Sequence, residues 1–316
     1  MEDLRRKSWL QSGLRAWQRS LTKYWQLYLL LIPVIAYYII FKYKPMAGVQ
    51  IAFRDFKLRK GIWGSPWVGF KHFERFFTSY WCIPIVRNTL VLGFLSLLFC
   101  FPFSIILALI FNELRSQKFK KTMQTITYAP HFVSTIVVVG MMTAMCSPST
   151  GVINKLLVQV GVLQEPAYFM GSSKYFRLMY ILSAIWKDGG WNAIIFISAL
   201  AAIDPTLYEA ATVDGANRLQ QLIYVTLPSI LPTIIIMLIL ESGKVLNIGY
   251  EKAYAMQNDL NLMTSEVIST YSYKLGLEEL EYDYATAIGL FNSVISFILL
   301  GTVNFISKKA TETSLF

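Results

Sequence analysis

Charge is scarce in this chain. Of its 316 residues only 15% are Asp, Glu, Lys or Arg, against roughly 25% in an ordinary soluble domain. That excludes a water-facing surface over most of its length. Histidine is nearly absent: His72 and His131 stand alone, neither with a ligand-type neighbour at helical spacing. No metal centre is expected, and each reads as a loop or interface residue. The three cysteines, Cys82, Cys100 and Cys146, are an odd number without metal-ligand spacing. They read as small buried residues, not as a disulfide framework. A G-x-x-x-x-G-K-[ST] run is also missing, so the chain has no loop of its own to cradle a nucleotide's phosphates.

What is present in excess is apolar surface, in long runs. Hydrophobic residues make up 55% of the chain, and Tyr24 to Phe41, Asn88 to Asn112 and Thr122 to Asn154 carry no formal charge. A bilayer core about 30 Å thick needs about 20 helical residues at about 1.5 Å each, and these runs have that length. The pattern predicts an all-α polytopic membrane protein with six spans, near 24–42, 88–111, 125–146, 178–200, 227–248 and 285–306. Lys187 and Asp188 in the fourth, and Glu241 and Lys244 in the fifth, then need an end of a span or a face turned to protein or water. Glu241 and Lys244, three residues apart, read as a mutually neutralising pair. The net charge of +10 is dispersed among the spans, which favours attraction to anionic lipid over nucleic acid.

Residues 1–23 form a basic tail in which Leu10, Leu14, Trp17 and Leu21 recur at helical spacing. A helix lying on an anionic membrane surface fits this pattern, and so does docking on a partner subunit. Phe41-Lys42-Tyr43-Lys44-Pro45 offers no small-residue cleavage pattern, so the first span is expected to be retained. In the following loop Phe70, Phe73 and Phe77 share a helical stripe, suited to a membrane surface or to a docked soluble partner. Lys and Arg divide almost evenly between the two sides, so the positive-inside rule leaves the orientation open.

The most informative stretch is Tyr208 to Pro228, YEAATVDGANRLQQLIYVTLP. It is too polar to cross a membrane. Glu209, Ala210 and Ala211 open a short helix whose small residues admit a close neighbour. Gly215 sits where the chain is free to bend, and Leu219, Leu222, Ile223 and Thr226 resume an apolar helical face. The plain alternative is an ordinary amphipathic loop between helices. This stretch, with Glu209-Ala210-Ala211, Asp214-Gly215-Ala216 and Leu227-Pro228, resembles the EAA signature of ABC importer permeases. The resemblance implies the maltose-type permease fold, with segment 204–226 as a cytoplasmic coupling loop that meets two ATP-binding cassette subunits. Glu209, Ala210, Ala211, Asp214, Gly215 and Leu219 are its contact residues. It further implies both termini in the cytoplasm (1–23 and 307–316 as tails of a 24–306 permease domain) and residence in a bacterial plasma (inner) membrane. Implied partners are a second homologous permease and an extracytoplasmic solute-binding protein. The chain would bind no cofactor, ATP and Mg being used by the ATPase subunits, and would not be an enzyme.

Trp67-Val68-Gly69-Phe70, Arg87-Asn88-Thr89-Leu90, Ile185 to Trp191, Ile203-Asp204-Pro205, Leu246 to Glu251 and Thr286 to Phe291 resemble the carbohydrate-uptake branch. Within it they look like the subgroup for large oligosaccharides such as pectin- or alginate-derived fragments. Sugar rings are bound by aromatic faces together with amide and charged groups. On that chemistry Trp186, Lys187, Asp188, Trp191 and Asn192 in the fourth span, and Asn247, Tyr250 and Glu251 after the fifth, are the candidate substrate path. Lys187 and Trp191 are i, i+4 neighbours, as are Asp188 and Asn192. A helix-packing ion pair and ordinary interfacial tryptophans are the structural alternative for these residues. A secondary transporter or channel for a polar solute is the competing function. It would require mid-membrane coupling sites and gives the 204–226 loop no purpose.

Overall fold

The computed structural model describes residues 22–311. The Leu10–Leu21 stripe and the last five residues lie outside that range. The described residues are helical throughout, joined by turns, and the sole strand-like contact among them is an antiparallel bridge between Arg54 and Trp67. The chain divides into two units, residues 1–69 and 70–316, which are described separately.

In the first unit α1 runs from Trp25 to Phe53, well past the expected end at residue 42. A wide π turn at Ile39–Tyr43 precedes Pro45. It opens the hydrogen-bond ladder just where proline has no N–H to give, and the helix continues instead of stopping. The segment after α1 folds back on its end. The Phe53 and Trp67 rings stack at 5.4 Å, and the Arg54 guanidinium donates to the Ser65 carbonyl at 2.8 Å.

The second unit is a helical bundle. Its elements are α2 (Lys71–Thr78), α3 (Cys82–Glu113), α4 (Gln117–Tyr128), α5 (Thr135–Met145), α6 (Val152–Gln159) and α7 (Ser173–Ala201). They are followed by α8 (Pro205–Val213), α9 (Arg218–Ser242), α10 (Tyr250–Met256), α11 (Ile268–Tyr273) and α12 (Tyr282–Thr311). Across both units α1, α3, α9 and α12 are each long and apolar enough to cross a membrane. Two bent pairs, α4 with α5 and α7 with α8, raise the total to six if each pair is one span.

The expected third and fifth spans differ from the helices found. Residues 125–146 are not one helix. Pro130 lacks an N–H, the chain tightens into a 3₁₀ turn at Ala129–Phe132, and Ser134 caps a new helix by accepting from Val137 N, so α4 and α5 meet at 101°. The fifth helix ends at Ser242 instead of 248. The amides of Lys244, Val245 and Asn247 all bond back three residues, which tightens residues 243–249 into a turn.

α3 and α7 lie along each other and meet α9 through Ala108, Ala193, Phe196, Leu200 and Ile230. A second core joins Leu92, Phe176, Tyr180 and Val267. Asn88 and Thr89 are buried here and paired, as a low-dielectric interior requires. Asn88 Nδ2 donates to the carbonyls of Met263 and Glu266 at 2.9 and 3.0 Å, and Ile268 N donates to Thr89 Oγ1 at 2.9 Å. A third core packs α2 on α12 through Phe76, Tyr284 and Ile288. The face of α2 that is buried carries His72 and Phe76, while Phe70 and Phe77, of the expected stripe, stay exposed. His72 is drawn in by Asp283, with Nε2 3.6 Å from the carboxylate.

Candidate functional site

Two sites stand out, and α7 links them. The first is a cavity of about 330 Å³ inside the second unit, at the low end of small-ligand sites, roughly 300–1,000 Å³. α3 contributes Gly93, Ser96, Phe101 and Ser104, and α7 contributes Tyr180, Asp188, Asn192 and Phe196. The end of α9 and the turn after it supply Glu241, Lys244, Asn247 and Gly249. The α7 residues fall at multiples of four along the helix, so a single stripe faces the cavity. Gly93 brings the turn in close: a Cβ there would lie 2.0 Å from the Val245 carbonyl oxygen. Asn247 is fixed from α12, where Asn292 Nδ2 lies 3.3 Å from its Oδ1.

Of the residues singled out from the sequence, Asp188, Asn192 and Asn247 line this cavity. Trp186, Lys187, Trp191, Tyr250 and Glu251 do not border it. Trp191 stacks face to face on His131 at 4.5 Å and 4°, and His131 Nδ1 lies 2.9 Å from Asp188 Oδ1. The break at Pro130 thus delivers His131 to α7, and Gly190 lets the chain come that near, since a Cβ there would sit 2.3 Å from the Thr127 carbonyl oxygen. Tyr250 stacks on Tyr273 at 4.8 Å. Glu241 and Lys244 are paired at 2.6 Å and border the cavity as well, a placement their spacing alone does not reveal. Tyr180 and Phe196 were missed among many aromatics; their spacing in multiples of four from Asp188 and Asn192 was the available signal.

The second site lies where α7 ends and the chain turns by 67° into α8. Asp204 caps α8 by accepting from Thr206 N at 2.9 Å. That backbone bond, aided by the Thr206 hydroxyl, holds the Asp204 carboxyl below its ordinary pKa. α8 ends at Val213, Gly215 reverses the chain with φ +79°, and Asn217 with Gln220 forms a reciprocal capping box that starts α9. Gln221 Nε2 donates to Thr212 Oγ1 and to the Ala216 carbonyl, and Tyr208 OH lies 3.0 Å from Thr226 Oγ1. These bonds fold α8 against the first turns of α9 as one knob. Glu209, Ala210, Asp214, Gly215 and Leu219 are exposed on it and Ala211 is half-buried. Val213, not picked out from the sequence, is the most exposed large apolar residue among those described, at 87%.

The geometry has counterparts among known proteins. The family described as binding-protein-dependent transport system inner membrane component matches residues 88–312. Protein LplB of Bacillus subtilis (strain 168) is 44% identical over 301 residues, 95% of this chain and 94% of that protein. The polygalacturonan/rhamnogalacturonan transport system permease protein YteP of the same organism is 42% identical over 290 residues, 92% and 90% of the two chains. A chain in the crystal structure of a bacterial ABC transporter involved in the import of the acidic polysaccharide alginate superposes with a TM-score of 0.86. It is 42% identical and covers 94% of this chain and 99% of its own. The bacterial alginate ABC transporter in complex with alginate pentasaccharide-bound periplasmic protein gives 0.86 at 41% identity, with the same coverage.

Proposed function

The chain belongs to the family of binding-protein-dependent transport system inner membrane components, and on that premise we propose that it carries an oligosaccharide through the α3–α7–α9 cavity by alternating access. The observation that carries this reading is the continuity of α7. The body of the helix supplies Tyr180, Asp188, Asn192 and Phe196 to the cavity, and its C-terminal end leads through a short turn into the exposed α8 knob. In this reading a displacement of α8 passes through the short turn to α7 and moves a cavity wall. The cavity suits a sugar, with aromatic rings for C–H faces and the amides of Asn192 and Asn247 for hydroxyls.

In this reading α8 lies in the cytoplasm, in a groove of an ATP-binding cassette subunit. Glu209 holds the register there by charge-assisted hydrogen bonding, while Val213 and Leu219 supply apolar contact. Six crossings then place both termini on the cytoplasmic side. A second permease completes the pathway, two ATPase subunits hydrolyse ATP with Mg, and an extracytoplasmic binding protein delivers the sugar. The chain itself makes and breaks no covalent bond. YteP, by name a polygalacturonan/rhamnogalacturonan permease, and the alginate importer support an oligosaccharide cargo.

The test is made on the knob. Gly215 adopts a φ that a β-branched residue resists, so Gly215→Val should distort the reversal. Glu209→Arg should invert the contact charge while leaving α8 intact. Both variants should insert and assemble the bundle, yet lose most oligosaccharide uptake and most sugar-stimulated ATP hydrolysis by the complex. Normal uptake in both, or labelling of residues 209–220 solely from outside the cell, would overturn the reading.

A further inference from the structure

Each carboxylate bordering the cavity has a nitrogen held against it. Lys244 Nζ lies 2.6 Å from Glu241 Oε1, and His131 Nδ1 lies 2.9 Å from Asp188 Oδ1. Lys252 is placed differently. It stands on α10, three residues beyond Gly249 of the cavity wall. Its Nζ donates to the Tyr180 carbonyl at 2.7 Å and sits 4.1 Å from the centroid of the Tyr180 ring, itself part of that wall. An ammonium has three donors. One carbonyl and one ring face occupy this one, and it makes no ion pair with a carboxylate of the described residues.

A cation set among packed helices without a counter-ion is costly to keep, and in membrane proteins such groups mark the routes of polar cargo. The neutral alternative, a lysine serving only to tie α10 to α7, would be met equally well by an uncharged donor. Across the cavity edge the charges of Glu241 and Lys244 cancel, and Asp188 is engaged by His131. Lys252 is left as the unmatched charge.

We infer that Lys252 reads the charge of the cargo: its ammonium, beside the Tyr180 ring, is the cationic half of a carboxylate subsite, and the oligosaccharide carried is one built of sugar acids. The inference rests on the transport reading given above. The cargo's carboxylate supplies the counter-ion that the helices withhold; Lys252 is not itself in the cavity lining, and its four-carbon stem carries the ammonium to the Tyr180 ring that is. Tyr180 offers its ring to the sugar's C–H face, so charge and shape are read at adjoining points.

The test uses the complete importer complex held in nanodiscs without its binding protein, so that delivery does not set the preference. Equilibrium binding is measured for labelled trigalacturonate and for its methyl ester, which has the same ring framework but no charge. The wild type should prefer the acid by roughly ten- to a hundredfold, the range of one charge-assisted hydrogen bond. Lys252→Met should erase the preference by weakening the acid alone, and Lys252→Arg should restore it. A wild type that binds both forms equally would overturn the inference and leave the transport reading standing. So would a preference that survives in Lys252→Met, or equal weakening of both ligands by that change. A wild type that binds neither form would overturn the cavity as a sugar path, and the inference with it.

Discussion

At the scale of single residues, the cavity depends on a side chain that is missing. Gly93 faces the Val245 carbonyl so closely that an added methyl carbon would lie at 2.0 Å. Backbone is on the other side, so no rotamer change relieves the contact. Gly93→Ala should therefore push the 243–249 turn off α3 and destabilise the bundle by on the order of 1–3 kcal/mol, as overpacking does. A lowered thermal midpoint of the detergent-held complex, together with weaker sugar binding, is the expected result. An unchanged midpoint would mean that the turn is held from elsewhere. This contact was not legible in the sequence, where Gly93 is one glycine in an apolar run and its partner lies far along the chain. Asp188, Asn192 and Asn247 were legible, because polar side chains in or next to apolar segments need a reason to be there. Trp191 shows the limit of that argument. The same logic selected it, yet its ring covers His131, and no feature of the sequence marks the break at Pro130 as the place where those rings would meet.

At the scale of elements, the α8 knob was the most readable part. Asp204-Pro205 starts a helix by side-chain capping and a preset φ, Gly215 supplies the positive φ, and Asn217 with Gln220 restarts the helix by a capping box. Each signal is local, so it survives without knowledge of the tertiary fold. Span ends were less readable, because an apolar pattern does not show where the backbone bonds tighten to three residues or widen to a π turn. α9 stops at Ser242 though the apolar pattern continues to Ile248, and α1 outruns its apolar stretch through a π turn. The cap of α8 gives a pH-dependent expectation. The Asp204 carboxyl is held below its ordinary pKa by the Thr206 amide and hydroxyl. Its contribution is thus complete above the usual carboxylate range and lost as pH falls through the lowered value. Asp204→Asn keeps an acceptor at every pH and should couple nearly as well as wild type. Asp204→Ala should weaken sugar-stimulated ATP hydrolysis at neutral pH. Thermal unfolding of wild type and Asp204→Asn should stay in constant relation through the neutral range and diverge only below about pH 4. Equal coupling by Asp204→Ala and wild type would remove the cap from the account.

At the scale of the whole molecule, composition alone placed the chain in a bilayer, while charge counting left its orientation open. What composition could not supply was the cavity, which exists because α3, α7 and the end of α9 meet around small and polar residues that are far apart in sequence. The central claim is that this cavity opens to opposite sides of the membrane in turn, and Asn192 is placed to report it. With Cys100 changed to Ala, Asn192→Cys is introduced into the complete importer in sealed vesicles, and its reaction with a membrane-impermeant thiol reagent is followed from each side. The account predicts labelling from one side in the nucleotide-free state, labelling from the other when the ATPases are trapped closed, and protection by bound oligosaccharide in the state that holds it. Labelling from the same side in both states, indifferent to sugar, would contradict it.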